Sequence, residues 1–269
     1  IPNRCRSGGS SVDKDGILNH YMKYIVGIDE VGRGPVAGPV AVCAFICEEN
    51  FQKEIEMKVP LRDSKKLTKI QREKWFEFLK KEKEKGNCDF AVTMVSAEWI
   101  DKVGIVRSIQ KALDQSLDKV MKNYENQSSG FSVSLQRRET EGSPSALSAL
   151  AENHARTGIT TRHKTDFHNF YVYLDGGLKA PKEYVNQETI IKGDELHPVI
   201  SFASIVAKVT RDNLMEKYGS EFPEYGFENH SGYGTKAHYD AIKKHGLSPL
   251  HRKSFLKNIS LSLWLRPCP

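Results

Sequence analysis

Asp29 and Glu30 stand side by side after Tyr24-Ile25-Val26-Gly27-Ile28, an apolar run with the length and composition of a buried strand. Two more acids close short apolar runs: Asp175 after Tyr171-Val172-Tyr173-Leu174, and Asp194 shortly after Thr189-Ile190-Ile191. Carboxylate oxygens are hard ligands suited to Mg²⁺ or Mn²⁺, and several that converge repel one another unless a cation lies between them. Two such ions about 4 Å apart can activate a water and stabilise the leaving oxygen when a phosphodiester is hydrolysed. Histidine and cysteine are missing from these strand ends, which counts against zinc. The competing explanation is that each acid merely starts a turn, a frequent role of Asp. That explanation is weakest for Asp29-Glu30, where a buried strand leads straight into both charges.

The acid pair is followed by Gly32-Arg33-Gly34-Pro35-Val36-Ala37-Gly38-Pro39. Glycine lets a backbone approach a ligand and offer its N–H groups, and Arg33 adds a planar donor for phosphate. The spacing matches neither the dinucleotide fingerprint nor the phosphate loop of nucleotide hydrolases. Taken alone, a Gly-Arg-Gly turn is most often only a turn.

The elements that must position these residues follow from periodicity. Tyr24 to Ile28 and Val40 to Cys47 read as hairpin-like strands, and Phe90 to Val95 as a third. Thr68 and Gln71 have capping-box spacing, and Gly86 closes a helix with Trp75, Phe78 and Leu79 on one face. Ile105, Ile109, Leu113, Leu117 and Val120 repeat as one face of a long helix. Phe202, Ile205, Val206 and Val209 line another, and a last helix runs from near Thr235 to before Gly246. Strands interleaved with helices predict a mixed α/β sheet. Residues 1–22 and 123–168 lack sustained periodicity; the first is expected to be a flexible extension and the second an inserted or disordered segment, because structureless loops this long are uncommon within a domain.

Bulk properties narrow the class. With 39% apolar and 28% charged residues, a soluble globular chain fits better than a wholly disordered one. The longest apolar run, Val40 to Cys47, is far too short to span a membrane. Five cysteines, odd in number and without paired zinc-ligand spacing, suggest no disulfide framework, and a reducing cytoplasm is expected. No basic segment followed by an apolar one marks a secretory signal. A net charge of +6 favours polyanions only mildly and decides nothing alone.

Together these segments resemble ribonuclease HII. The resemblance is carried by Gly27-Ile28-Asp29-Glu30-Val31-Gly32-Arg33-Gly34-Pro35, Asp63-Ser64-Lys65-Lys66-Leu67, Leu174-Asp175-Gly176 and Lys192-Gly193-Asp194. It continues through Ala203-Ser204-Ile205-Val206-Ala207-Lys208-Val209-Thr210-Arg211-Asp212, Gly232-Tyr233-Gly234-Thr235-Lys236 and His251-Arg252-Lys253-Ser254-Phe255. These motifs occur in family order over roughly residues 24–257. The resemblance implies a ribonuclease H-like fold over residues 23–258 with a smaller helical C-terminal part, and leaves 259–269 as a tail.

It further implies a metal-binding catalytic quartet of Asp29, Glu30, Asp175 and Asp194, holding two Mn²⁺ or Mg²⁺ ions during catalysis. Gly32, Arg33 and Gly34 are implied to read the RNA-to-DNA junction through ribose 2′-hydroxyls, a use that suits a glycine turn because the 2′-OH distinguishes RNA from DNA. Tyr233 matches a tyrosine that packs on the sugar beyond the junction. Lys65 and Lys208 are assigned to phosphate or active-site support, with helical pairing to Asp212 as the plainer role of Lys208. The His251-Arg252-Lys253 cluster reads either as a phosphate contact or as surface charge. The implied protein is a monomeric endonuclease of RNA–DNA hybrids and of duplex DNA containing ribonucleotides, leaving 3′-hydroxyl and 5′-phosphate ends. Departures from the pattern are Ser231 before Gly232, Leu196-His197-Pro198 after Asp194, and the 123–168 interruption. If the interruption kept the Asp175 strand from docking, the chain would bind hybrids without cutting them. A general nuclease or a type HIII ribonuclease is the other rival.

Overall fold

The computed structural model describes residues 24–58, 67–139 and 170–257, with backbone alone for 56–58 and 126–139. Among these residues five strands, numbered in chain order, form one sheet in the order β3-β2-β1-β4-β5. Strand β1 (Tyr24–Val31) runs through the acid pair, β2 covers Val40–Glu48, β3 Cys88–Val95, β4 Phe170–Asp175 and β5 Gln187–Ile190. β2 is buried along nearly its whole length, as its unbroken apolar run requires for a strand covered on both faces. It pairs antiparallel with β1 on one side and β3 on the other, so the expected hairpin geometry is realised. β4 lies parallel to β1 with Leu174 opposite Ile28. Asp29 and Asp175 therefore leave neighbouring strands at one end of the sheet. The 123–168 interruption has not kept the Asp175 strand from docking.

Helices cover both faces. They are α1 (Glu49–Lys58), α2 (Lys69–Glu84), α3 (Ala97–Val103), α4 (Ile105–Glu139), α5 (Gly193–Leu196), α6 (Pro198–Glu221), α7 (Phe227–His230) and α8 (Lys236–His245). The capping box starting α2 is present in both directions: Thr68 Oγ1 accepts the Gln71 N–H, and Gln71 Oε1 accepts the Thr68 N–H. Leu79 is the fully buried residue of the expected α2 face and Trp75 packs beside it, whereas Phe78 is turned outward. α4 extends past Asn123 to Glu139, so the stretch expected to be inserted or disordered begins as a continuation of the helix. Residues 140–168, the 1–22 extension, the 259–269 tail and Lys65 lie outside the described residues.

Side-chain alternation along β1 sorts the two cores. Val26 and Ile28 join Leu113, Leu117 and Val120 of α4 on one face. Ile25 joins Val199, Phe202 and Val206 of α6 on the other, where Phe45, Trp75 and Phe202 rings pack together. Each fully buried Leu or Phe contributes about 1.5–3 kcal/mol of transfer free energy. The even positions of β1 thus hold α4, and the odd positions, Gly27 and Asp29 among them, face α6. A third, smaller cluster of Val36, Ala37, Met215, Tyr225, Phe227, Ile242 and Leu256 ties the glycine turn to the helical C-terminal part. No helix among the described residues is long and apolar enough to cross a membrane.

Candidate active site

A cavity of about 400 Å³ opens where β1, β4 and α6 meet. Asp29, Glu30 and Asp175 line it, together with the Gly32-Arg33-Gly34 turn, Tyr233, Ser204, Ile205, Lys208 and Arg72. Three carboxylates thus share one cavity with three basic side chains, and neither His nor Cys is among its lining residues. Acids suited to a hard cation and bases suited to a phosphate backbone are brought together.

Asp29 is buried, and its Oδ1 accepts the Glu30 N–H at 2.8 Å. Burial pushes its carboxyl well above the usual carboxylate range; a hydrogen bond from Ser204 opposes the rise, and the charges of Asp175, Glu30 and Asp194 add to it. Glu30 is also raised, first by burial and then by Asp175, with Arg33 opposing at 3.4 Å. Glu30 Oε2 is buried and has no hydrogen-bond partner. An orphaned anionic oxygen among mutually repelling carboxylates is a site that a divalent cation fits. Asp175 Oδ1 accepts the Gly193 N–H at 2.6 Å. Among the described residues no three His, Cys, Asp or Glu side chains are gathered closely enough to enclose a metal ion as they stand.

Asp194 departs from the expected placement. Lys192 adopts a left-handed conformation (φ 58°), which breaks away from β5, and Asp194 sits in the first turn of α5 rather than at a strand end. Its residue is fully buried and does not line the cavity, although its charge reaches Asp29. Lys208 lines the cavity and also pairs with Asp212 at 2.8 Å, so the helical pairing and the site position coexist. Of the sequence departures, His197 stacks on Tyr173 with ring centroids 4.9 Å apart, and Pro198 takes the first turn of α6. Ser231 has φ 47°, donates its hydroxyl to Asp212 and offers its carbonyl to Arg211.

Two sets of residues support the cavity wall in a way the sequence did not reveal. The first is Arg252, expected at the surface or on phosphate. It is fully buried and donates to the carbonyls of Gly32 (2.7 Å), Gly38 (2.9 Å) and Arg33 (3.2 Å). Arg211, also fully buried, donates to Pro39, Ser231 and Ala37 carbonyls. Gly32 (φ 88°) lies so close that a Cβ there would stand 2.3 Å from Arg211 Nε.

The second set is a histidine chain beneath Tyr233. The Ser248 N–H donates to His251 Nδ1, which leaves Nε2 of His251 as the donor to His238 Nε2 at 3.1 Å. His238 Nδ1 then donates to the Tyr233 carbonyl at 2.9 Å. Burial pushes His238 down to about 4 and His251 down to about 3, so both are neutral in the fold. The ring of Tyr233 is 44% exposed and lies over Gly34, 3.7 Å from where a Cβ would be. Ser204, the partner of Asp29, falls one turn after Ile200 and one before Lys208; that i, i+4, i+8 line was the available signal.

The family described as Ribonuclease HII matches residues 26–258. A ribonuclease HII of Clostridioides difficile (strain 630) is 35% identical over 247 residues, covering 92% of this chain and 75% of that protein. The crystal structure of the ribonuclease H2 from Pyrococcus horikoshii OT3 superposes with a TM-score of 0.53 at 24% identity, covering 90% of this chain and 100% of that chain. A Bst ribonuclease HIII in complex with Mn²⁺ superposes with a TM-score of 0.54 at 13% identity, covering 90% of this chain and 65% of that one. At these identities the structural likeness speaks for the fold.

Proposed function

Because the chain belongs to the ribonuclease HII family, we propose that it is the endonuclease its cavity is suited to be, hydrolysing RNA in RNA–DNA hybrids and at single ribonucleotides embedded in duplex DNA. The observation that carries the reading is the convergence of Asp29, Glu30 and Asp175 on one cavity walled by the Gly32-Arg33-Gly34 turn and Tyr233. Asp29, Glu30 and Asp175 would hold Mn²⁺ or Mg²⁺, with Asp194 supporting them from beneath. When bound, paired ions supply an activated water and stabilise the departing oxygen.

The chain's own residues do the remainder. Glu30 Oε2 offers an unpaired anionic oxygen at the cavity, and the Ser204 hydrogen bond steadies Asp29 in its charged form. Arg33, Arg72 and Lys208 face the same space and neutralise the phosphates of an entering duplex, so substrate capture weakens as salt rises. Gly32 and Gly34 keep the wall free of side chains where a ribose must come close. The Tyr233 ring beside them offers an apolar surface for the next sugar. Attack on the 5′ side of the ribonucleotide leaves 3′-hydroxyl and 5′-phosphate ends.

The docked position of β4 favours this reading over that of a hybrid-binding protein without catalysis. The test is cleavage of a duplex carrying one ribonucleotide, with Mg²⁺ or Mn²⁺, beside an all-DNA control and a long hybrid. The expected result is one cut 5′ of the ribonucleotide and none in the all-DNA control. Asp29→Asn is expected to abolish cutting while the protein stays folded. Failure to cut with either ion, or undiminished activity in Asp29→Asn, overturns the proposal.

A further inference from the structure

Among the described residues Arg252 and Arg211 are the two largest fully buried side chains, and neither forms an ion pair there. Asp101, the acid whose field reaches Arg252, is engaged by the N–H groups of Lys253 and Ser254 and by the Ser254 hydroxyl. Burying a guanidinium without a counter-ion is costly unless its donors are satisfied. Here the donors are satisfied by carbonyls, and those of Arg252 belong to the glycine turn itself: Gly32, Arg33 and Gly38.

The choice of carbonyls has a geometric result. The peptide bond is planar, and in the trans form its C=O and N–H point in opposite directions; no peptide among the described residues is cis. Drawing the Gly32 carbonyl onto Arg252 turns the N–H of Arg33 the other way, and drawing the Arg33 carbonyl inward does the same to the N–H of Gly34. Both of these residues line the cavity, and Arg252 does not. Neither N–H donates to an acceptor among the described residues. Two adjacent backbone donors, backed by a buried positive charge, form a receptor for a single electronegative oxygen.

We propose that Arg252 is a positioning residue that aims the Arg33 and Gly34 N–H groups at an oxygen of the scissile nucleotide, either the ribose 2′-oxygen or the adjoining phosphate. The inference rests on the ribonuclease reading above and assigns to the buried arginine the geometry on which substrate discrimination depends. Arg211 supports the far limb of the turn through Pro39 and Ala37 and joins it to the Tyr233 loop through Ser231.

Amide resonances of the Asp29→Asn protein, titrated with duplexes, test the aim directly. The Arg33 and Gly34 N–H signals are expected to move on adding a duplex with one ribonucleotide. Movement with that duplex alone identifies the 2′-oxygen, and equal movement with an all-DNA duplex identifies the phosphate. No movement of either amide while other resonances report binding overturns the proposal. In the otherwise unaltered chain, Arg252→Lys keeps the charge and loses the three-point fork. It is expected to lower kcat/KM by about 10- to 100-fold with the loss chiefly in kcat, the size expected of misaligned substrate. Wild-type kcat/KM per folded molecule in Arg252→Lys also overturns it. If the wild-type protein cuts no ribonucleotide-bearing duplex, the functional reading fails instead, and the amide titration still judges the aim of the turn.

Discussion

Replacing Gly27 by Ala should damage both stability and catalysis, because at this position β1 and α6 touch backbone to backbone. A Cβ on Gly27 would stand 2.2 Å from the Val199 carbonyl oxygen, 2.4 Å from its carbon and 2.8 Å from Ile200 N. The first of these is about 1.2 Å inside the 3.4 Å at which ordinary contact begins. Backbone cannot rotate out of the way as a side chain can, so the first turn of α6 must lift by about 1 Å. Overpacking of a close-packed interior costs about 1–3 kcal/mol, which for a chain of this size lowers Tm by about 2–4 °C per kcal/mol. The same helix carries Ser204 and Lys208 over Asp29, two residues along β1 from the clash. A displacement of that order in a positioning element lowers turnover by about 10²-fold. Thermal unfolding and single-turnover cleavage of a duplex with one ribonucleotide measure the two effects. Gly177→Ala, where a Cβ meets nothing within 4 Å, is the control for stability. Wild-type Tm together with wild-type turnover in Gly27→Ala would refute the close-approach argument.

Three further outcomes are expected. His238 and His251 are neutral in the fold, at about 4 and about 3, but titrate near 6.5 when unfolded. The unfolded chain therefore binds more protons between pH 6.5 and 4; stability is fully present above pH 6.5 and falls on acidification by up to about 1.4 kcal/mol per pH unit for each ring. Urea midpoints from pH 7.5 to 5 measure it, and a slope that does not flatten in His251→Asn contradicts the assignment. Thr68→Ala removes the cap of α2 and should cost about 1 kcal/mol with turnover unchanged; an unaltered urea midpoint would rule the cap out as a stabilising feature. Cys43, Cys47 and Cys88 are buried, and burial pushes all three thiols up, Cys88 to about 12. All three should stay unlabelled by a thiol reagent at pH 8 until denaturant is added, as peptide mapping would show.

Much of this architecture was legible in the sequence because it rests on local pattern. The apolar run of β2, the capping box at Thr68 and the helical repeat from Ile105 each require only neighbouring residues to agree. α1 was missed because Glu48-Glu49 joins strand to helix with neither Gly nor Pro to mark the change. Asp29, Glu30 and Asp175 were visible as charges interrupting strands, whereas Asp194 was placed on a strand because nothing local announces the left-handed turn at Lys192. The burial of Arg211, Arg252, His238 and His251 was the deeper miss. Such residues are mostly exposed or half-exposed, and what satisfies Arg252 is a set of carbonyls some 214–220 positions away. No window of sequence contains that fact.

The parallel pairing of β4 with β1 also governs when the site can exist. Antiparallel β1, β2 and β3 lie within the first hundred residues and can associate early, but the edge of β1 that receives β4 waits for residues 170–175. At ribosomal rates of about 5–20 residues per second, nearly 140 residues of synthesis leave that edge bare for roughly 7–30 s. An unpaired edge next to Asp29 is a place where a nascent chain can join the wrong partner. Closure across the intervening segment depends only logarithmically on its length, about 0.6 kcal/mol per doubling. The gene can therefore lengthen that connection at little thermodynamic cost to the chemistry, and each lengthening is felt in time, as a longer delay before the carboxylates meet.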